Sequence, residues 1–290
     1  MNESNRPLIV TGVDGSEDGL RAVRFAARAA KMVDGECLFV NAVDDTLMAG
    51  AWGVVYDPEV LQEAGVTANE QAKMEAINEG LPEDRIRTEV VMGTPGGVMS
   101  RLSEMADLVV VGRRAVSGLE RMFVGSTSVS VAANASCPVV VISAAAHPPR
   151  VGGRGLVGVG VNTNPGSKST LEAGFRQAQL LGAKLEIVHV LQPPVGLFSS
   201  KLTPAQLEDQ LSFTRGGIEA ITAPLREKYP DVESVIDVVA DSPINELVSR
   251  SANYDLLVLG VGESSIPGFA LGGLMRGLMA HALCPLYIAK

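Results

Sequence analysis

Asp107-Leu108-Val109-Val110-Val111-Gly112-Arg113-Arg114-Ala115 is followed, ten residues after Ala115, by Gly125-Ser126-Thr127-Ser128. An apolar run leading straight into glycine is how a buried parallel strand hands the chain to a turn at its carboxyl end. The second stretch opens a segment, Val129 to Ala135, that reads as a short helix. Small and hydroxyl residues at a helix start leave backbone N–H groups facing outward, where an anion can meet them. Glycine lets that backbone come close to a phosphate with no Cβ in the way. The stretch therefore reads as strand, phosphate-binding turn and helix. The competing reading is plainer: glycine ends many strands and serine caps many helices.

Working outward, the same landmarks recur. Gly12-Val13-Asp14 matches Gly160-Val161-Asn162 at an offset of 148 residues, and Pro95, Asp107-Leu108, Gly112 and Gly125 match Pro243, Asp255-Leu256, Gly260 and Gly273. Cys137-Pro138 matches Cys284-Pro285 at 147, so one residue is lost near the end of the second copy. Regular spacing over the whole length predicts two copies of one domain, residues 1–146 and 152–290, each of ordinary domain size. The connector, Ser143 to Gly155, is rich in Ala, Pro and Gly, which suits an exposed linker.

Within each copy, strand and helix patterns alternate. In the first, strands are expected at Leu8–Val13, Cys37–Val40, Thr88–Val91, Asp107–Gly112 and Val139–Ile142, with helices over Asp18–Val33, Thr67–Glu79 and Gly97–Met105 between them. This order predicts an α/β fold: two tandem Rossmann-like domains, each a five-stranded parallel sheet with helices on both faces. In such sheets ligands bind at the carboxyl ends of strands, where the strand order reverses. The first and fourth strands would meet there, bringing Asp14 beside Gly112.

Composition narrows the classes. A formal net charge of −9 argues against nucleic acid or an anionic membrane as the main partner. The apolar runs are too short to span a bilayer, and the polar start Met1–Pro7 has no leader pattern, so a cytoplasmic protein is expected. Three cysteines without a spacing motif suit buried reduced thiols.

The candidate chemistry is that of binding. Asp14 could hold a ribose or a metal near phosphates, or could cap the next helix. Arg113 and Arg114 could pair with phosphate oxygens or lie solvated. Ser126, Thr127 and Ser128 could donate to a terminal phosphate or serve only as caps. His147, His189 and His281 fall in no metal or triad spacing, and His189 reads as a satisfied strand-end histidine. A positioned catalytic base is lacking.

Together these residues resemble the universal stress protein family in its tandem two-domain, actinobacterial form. The resemblance rests on Gly12-Val13-Asp14-Gly15-Ser16, Gly93-Thr94-Pro95, Asp107 to Gly112, and Cys137-Pro138-Val139-Val140-Val141-Ile142. It implies ATP, or another adenine nucleotide, with Mg²⁺ at the phosphates. Adenine would lie near Ala42 and the ribose near Gly12, Val13 and Asp14. The phosphates would lie over Gly112, Arg113, Arg114 and Ala115 and over Gly125, Ser126, Thr127 and Ser128. The loop from Asp44 to Asp57, with Trp52, would cover the base. ATP-binding members carry G-x2-G-x9-G-[S/T], and here Ala115 replaces the second glycine. In the second copy Asn162, Glu263 and Leu274 replace the aspartate, the second glycine and a hydroxyl residue, which implies a degenerate site.

The resemblance further implies that Val139–Ile142 and Leu286–Ala289 pair about a pseudo-two-fold, making an intramolecular pseudo-dimer, with a further homodimer and a protein partner left open. Function then follows as a stress-response switch driven by nucleotide binding. The alternatives are a nucleotide-free scaffold and a slow ATPase.

Overall fold

The structure, a computed structural model, describes residues 6–44, 58–113, 125–143, 146, 155–164, 166–192, 202–261 and 271–290. The chain forms two compact units. The first holds β1 (Leu8–Gly12), α1 (Glu17–Met32), β2 (Glu36–Val43), α2 (Pro58–Asn78), β3 (Ile86–Met92), α3 (Pro95–Leu102), β4 (Leu108–Gly112), α4 (Ser126–Asn134) and β5 (Val139–Ile142). The second holds β6 (Leu156–Gly160), α5 (Ser167–Leu181), β7 (Lys184–Leu191), α6 (Pro204–Lys228), β8 (Ser234–Ala240), α7 (Pro243–Ser251), β9 (Leu256–Gly260), α8 (Gly273–His281) and β10 (Leu286–Ala289).

Strand order is β3-β2-β1-β4-β5 in the first unit and β8-β7-β6-β9-β10 in the second, with every pair parallel. The chain winds one way from β1 to β3, then crosses back to β4. Right-handed crossovers in opposite directions put α1 and α2 on one face and α3 and α4 on the other, as the α1–α2 and α3–α4 contacts bear out. The order reverses between β1 and β4, where Gly12 stands opposite Val111.

Local sequence explains the elements. Ser16 caps α1 by accepting from Gly19 N–H, Glu17 and Asp18 favour its first turn and Lys31 its last. Its buried stripe of Ala22, Val23, Ala26, Ala27 and Ala30 lies on β1 and β4. The central strands are apolar apart from buried Thr11 because both faces are covered. Cys37, Cys137 and Cys284 are buried thiols.

Two expectations need correction. Helix α2 begins at Pro58 rather than Thr67, because its early turns bury only small residues, Gly65 and Ala68, beneath exposed Glu59 and Glu63. The missing residue of the second copy falls before α8, not after it. The N-cap of α8 is Gly272 and that of α4 is Gly125, so Gly125 corresponds to Gly272 and not to Gly273. Ser126, Thr127 and Ser128 are thereby matched by Gly273, Leu274 and Met275.

Candidate functional site

The end of β1 turns sharply into α1. Asp14 Oδ1 accepts from Ser16 N–H at 3.0 Å and from the Ser16 hydroxyl at 2.5 Å, and Gly15 takes a positive φ of 75°. The aspartate therefore does cap-like work, yet its carboxylate lies exposed at the strand end. Val13 N–H donates to the Val40 carbonyl at 2.9 Å, and Gly93 N–H to the Val43 carbonyl at 2.9 Å. In a parallel ladder alternate residues address the same neighbour. Ala42, in step with Val40, thus turns its peptide groups towards the β1 side, beyond the point where β1 has ended. That is an edge of donor and acceptor suited to a base.

Helix α4 supplies the other wall. Gly125 is its N-cap and the first intrahelical bond runs from Val129 N–H to the Gly125 carbonyl at 3.1 Å. The N–H groups of Ser126, Thr127 and Ser128 come before that bond and point out of the helix end. The Ser128 hydroxyl donates to the Gly112 carbonyl at 3.3 Å, tying α4 to the end of β4. A Cβ at Gly125 would meet only Ser128 Oγ, at 3.7 Å, so the fold itself does not require glycine there.

Gly112 is different. A Cβ there would sit 2.3 Å from the Asp18 carbonyl oxygen, so close packing of α1 on β4 already demands glycine. Gly260 is under the same demand, with Thr170 Oγ1 at 2.3 Å. Arg113 is buried at 4% exposure. Arg114 and Ala115 lie outside the described residues, as do most of the Asp44–Asp57 loop, Trp52 and Glu263. Among the described residues no group of three His, Cys, Asp or Glu side chains could hold a metal. Asp14 is an exposed carboxylate at this strand end, and one carboxylate alone would leave a magnesium ion most of its water.

The second unit repeats the turn without the charge. Asn162 Oδ1 accepts from Asn164 N–H at 2.9 Å and lies 2.6 Å from Ser167 Oγ. His189 is a satisfied strand-end histidine: its Nδ1 is 2.9 Å from the Val161 carbonyl. Since a carbonyl only accepts, that nitrogen carries the proton.

The sequence profile of the universal stress protein family matches residues 7–143 and again 155–290. The chain belongs to the universal stress protein family. The universal stress protein Rv2005c of Mycobacterium tuberculosis is 29% identical over 298 residues, covering 97% of this chain and 96% of its own length. A shorter universal stress protein of Methanocaldococcus jannaschii, MJ0531, is 34% identical over 141 residues, 46% of this chain and 80% of its own. The crystal structure of a universal stress protein from Archaeoglobus fulgidus shares the fold, with a TM-score of 0.70 at 17% identity over 98% of this chain and 96% of that one.

Within this universal stress protein, two crevice residues carried no obvious signal. Asn41 Nδ2 donates to the Val13 carbonyl at 2.9 Å and so fixes the turn before Asp14. Gly65 of α2 packs against it: a Cβ there would lie 2.7 Å from Asn41 Oδ1 and 3.1 Å from Val90 Cγ1. A glycine inside a helical pattern was the available clue, and the match of Asn41 to His189 at offset 148 was the other.

Proposed function

We propose that the first unit binds an adenine nucleotide, ATP in the reading argued above, and that the protein works as a cytoplasmic binding switch in a stress response. The observation that carries this reading is the charge on Asp14. In the second unit neutral Asn162 accepts the same bond from the N–H two residues on, although its hydroxyl partner is Ser167 and α5 starts at Gly166 without a side-chain cap, so that shared bond does not by itself call for a carboxylate. At a strand-order reversal, a surplus acceptor is what a ribose or a phosphate-borne cation would use. The outward N–H groups of α4 suit the phosphates, and the edge at Ala42 suits the base. Binding would act by favouring one conformation or partner over another, and without a positioned base turnover is not expected.

The test is to denature freshly purified protein and weigh what it releases. About one nucleotide per chain supports one working site, in line with one-to-one binding at a single crevice. None, even after adding Mg-ATP, favours the nucleotide-free scaffold. Gly125→Asp then locates the site. There is room for the new side chain, and aspartate is a preferred N-cap, so the variant should fold at least as stably as the parent. Its carboxylate would face the phosphates, and the bound nucleotide should be lost. Nucleotide retained at the parental ratio would sink the assignment.

A further inference from the structure

The two units finish their outer sheet edges differently. In β8, the outer strand of the second unit, the Glu233 carbonyl accepts from Leu185 N–H at 2.9 Å. Alternate residues of a parallel strand address the same neighbour, so Val235 and Asp237 serve β7 and Ile236 turns its peptide groups outward. That outward carbonyl is occupied: Arg215 Nη1 of α6 donates to it at 2.7 Å. On the same flank of α6, Arg226 Nε donates to the Ser234 hydroxyl at 2.9 Å. Two arginines thus close this edge, and charged side chains on an edge discourage pairing with another chain.

Strand β3, the outer strand of the first unit, is left open. Gly93 N–H donates to the Val43 carbonyl, so Arg87, Glu89 and Val91 address β2, while Ile86, Thr88 and Val90 turn their peptide groups outward. Thr88 matches Ile236 at offset 148 and is exposed, and among the described residues no side chain reaches its carbonyl. The buried residues Gly65, Asn69 and Ala76 of α2 match Thr214, Ile218 and Leu225 of α6 at offset 149. Val66 and Ile77 therefore stand where α6 has Arg215 and Arg226, and Val66 is 46% exposed. The seven residues of β3 carry no proline, lysine or bulge, and its two charges, Arg87 and Glu89, flank Thr88 with opposite signs.

We propose that the β3 edge is a self-association surface, occupied by the β3 edge of a second copy of this chain, antiparallel about a two-fold axis at Thr88. In that register Thr88 exchanges hydrogen bonds with the partner's Thr88, and Ile86 with the partner's Val90, through the outward peptide groups. Arg87 stands opposite the partner's Glu89, and Glu89 opposite the partner's Arg87, so the edge is complementary to itself. Arg87 bridges its own Glu36, at 2.9 Å, and that second carboxylate with its fork of donors. The same register on β8 would set Val235 against Asp237, without such a match.

Helix α2 packs on β2 and β3 alike. With strands about 4.8 Å apart, the two copies of α2 run antiparallel about 10 Å apart, a normal helix-packing distance. Val66 and Ile77, about three turns apart, face the partner's Ile77 and Val66 and bury apolar surface that arginines would keep wet. None of these residues belongs to the crevice, so the surface goes beyond the nucleotide reading and stands whether or not nucleotide binds.

Sedimentation equilibrium of the full chain tests it, with Glu89→Arg, Val66→Arg and Thr88→Pro beside the parent and a circular dichroism melt to show that each is folded. All three sites are exposed, and the Thr88 N–H serves no bond within the sheet, so proline leaves the ladder whole. The parent should run at twice the chain mass at about 10 µM. Glu89→Arg sets arginine against arginine twice across the axis and should weaken the dimer about 100-fold. Val66→Arg restores the guard of the second unit and Thr88→Pro removes the central donors, so each should leave monomer at that concentration. A parent still monomeric at about 100 µM, or a dimer that any one of the folded variants leaves as tight as before, would overturn the proposal.

Discussion

Asp107 and Asp255 do one job in the two halves, whereas Asp14 and Asn162 divide over another. Asp107 Oδ2 accepts from Leu8 N–H at 2.8 Å and Asp255 Oδ2 from Leu156 N–H at 3.2 Å, each fixing the start of a central strand. Ser103 and Ser251 likewise accept from Ser136 N–H and Leu283 N–H, at 2.8 and 2.9 Å. Residues identical across the repeat are thus holding the sheet together. At the crevice the halves differ, Asp14 against Asn162 and Ser126-Thr127-Ser128 against Gly273-Leu274-Met275, and the second unit folds without the Asp14 charge and without the Ser128 bond to β4. The comparison teaches that repetition marks architecture and that, at the carboxyl ends of the central strands, asymmetry points to the candidate site.

The interiors have also diverged. In the second unit Arg250 reaches Glu186, Asp237 and Glu246 at 2.6, 2.7 and 2.7 Å, and the Tyr254 hydroxyl donates to Glu186. At offset 148, Leu38, Val98 and Leu102 stand in place of Glu186, Glu246 and Arg250. Gly158 makes room for the Tyr254 ring, whose Cε2 would be 2.3 Å from a Cβ, where the first unit has Val10. Each half has found its own packing on one backbone plan.

The largest effect should come from adding a methyl group where the halves share a constraint. Gly112→Ala would drive a Cβ into the backbone of α1, and the expected loss is about 3 kcal/mol or more of stability by denaturant unfolding. Gly260→Ala meets only the Thr170 side chain, so it should cost less, and Thr170→Ala should rescue it, alanine being what the first unit has at Ala22. Equal losses, or no rescue, would mean that the Thr170 side chain is not what Gly260 makes room for.

Next is a swap already present across the repeat. A Cβ at Gly96 would lie 2.7 Å from Ser130 Oγ, whereas the second unit faces Ile244 with Gly277. Gly96→Ala should lose about 2 kcal/mol, and adding Ser130→Gly should restore most of it. A purely additive pair would mean that α3 and α4 relax independently.

Asp14→Asn sharpens the functional side. Since an asparagine accepts the same N–H bond two residues on in the second unit, and Asp14 is exposed, stability should change by no more than about 0.5 kcal/mol. Nucleotide affinity should fall about 10- to 100-fold by calorimetry, the scale of a lost hydrogen bond to a charged group. Unchanged affinity would return Asp14 to the role of a cap.

Much of the fold was legible because its signals are local. Apolar runs gave the strands, the 148-residue offset gave the two copies, and crossover handedness put β1 beside β4. Helix α2 was misjudged at its start because Gly65, Ala68 and Ala72 bury little area and leave a weak periodic signal. The one-residue slip before α8 was misplaced because Gly272 and Gly273 are adjacent and only the cap distinguishes them. At the site, Asp14 and the hydroxyls of α4 could be named from spacing. The burial of Arg113 and the reason for Gly112 could not, since both depend on how α1 approaches β4 from far along the chain.

The smallest predicted effect concerns Cys37, which stands in β2 where β7 has Leu185. Burial, with the neighbouring charge of Glu36 adding to it, pushes the Cys37 thiol up to about 12 from an ordinary value of 9.0. The folded group therefore keeps its proton after the unfolded chain has begun to lose it. Its contribution is intact below about 9 and is lost as the pH climbs towards about 12. Between about pH 8 and about pH 9.5 the parent should lose about 0.8 kcal/mol that Cys37→Ala does not, read as the difference between their denaturant midpoints. The second unit has leucine in that place, so the part of the loss that Cys37→Ala removes should appear in probes of the first unit. A parallel decline in parent and variant would mean that the thiol is hydrated, and that β2 is less tightly covered by α1 and α2 than its packing requires.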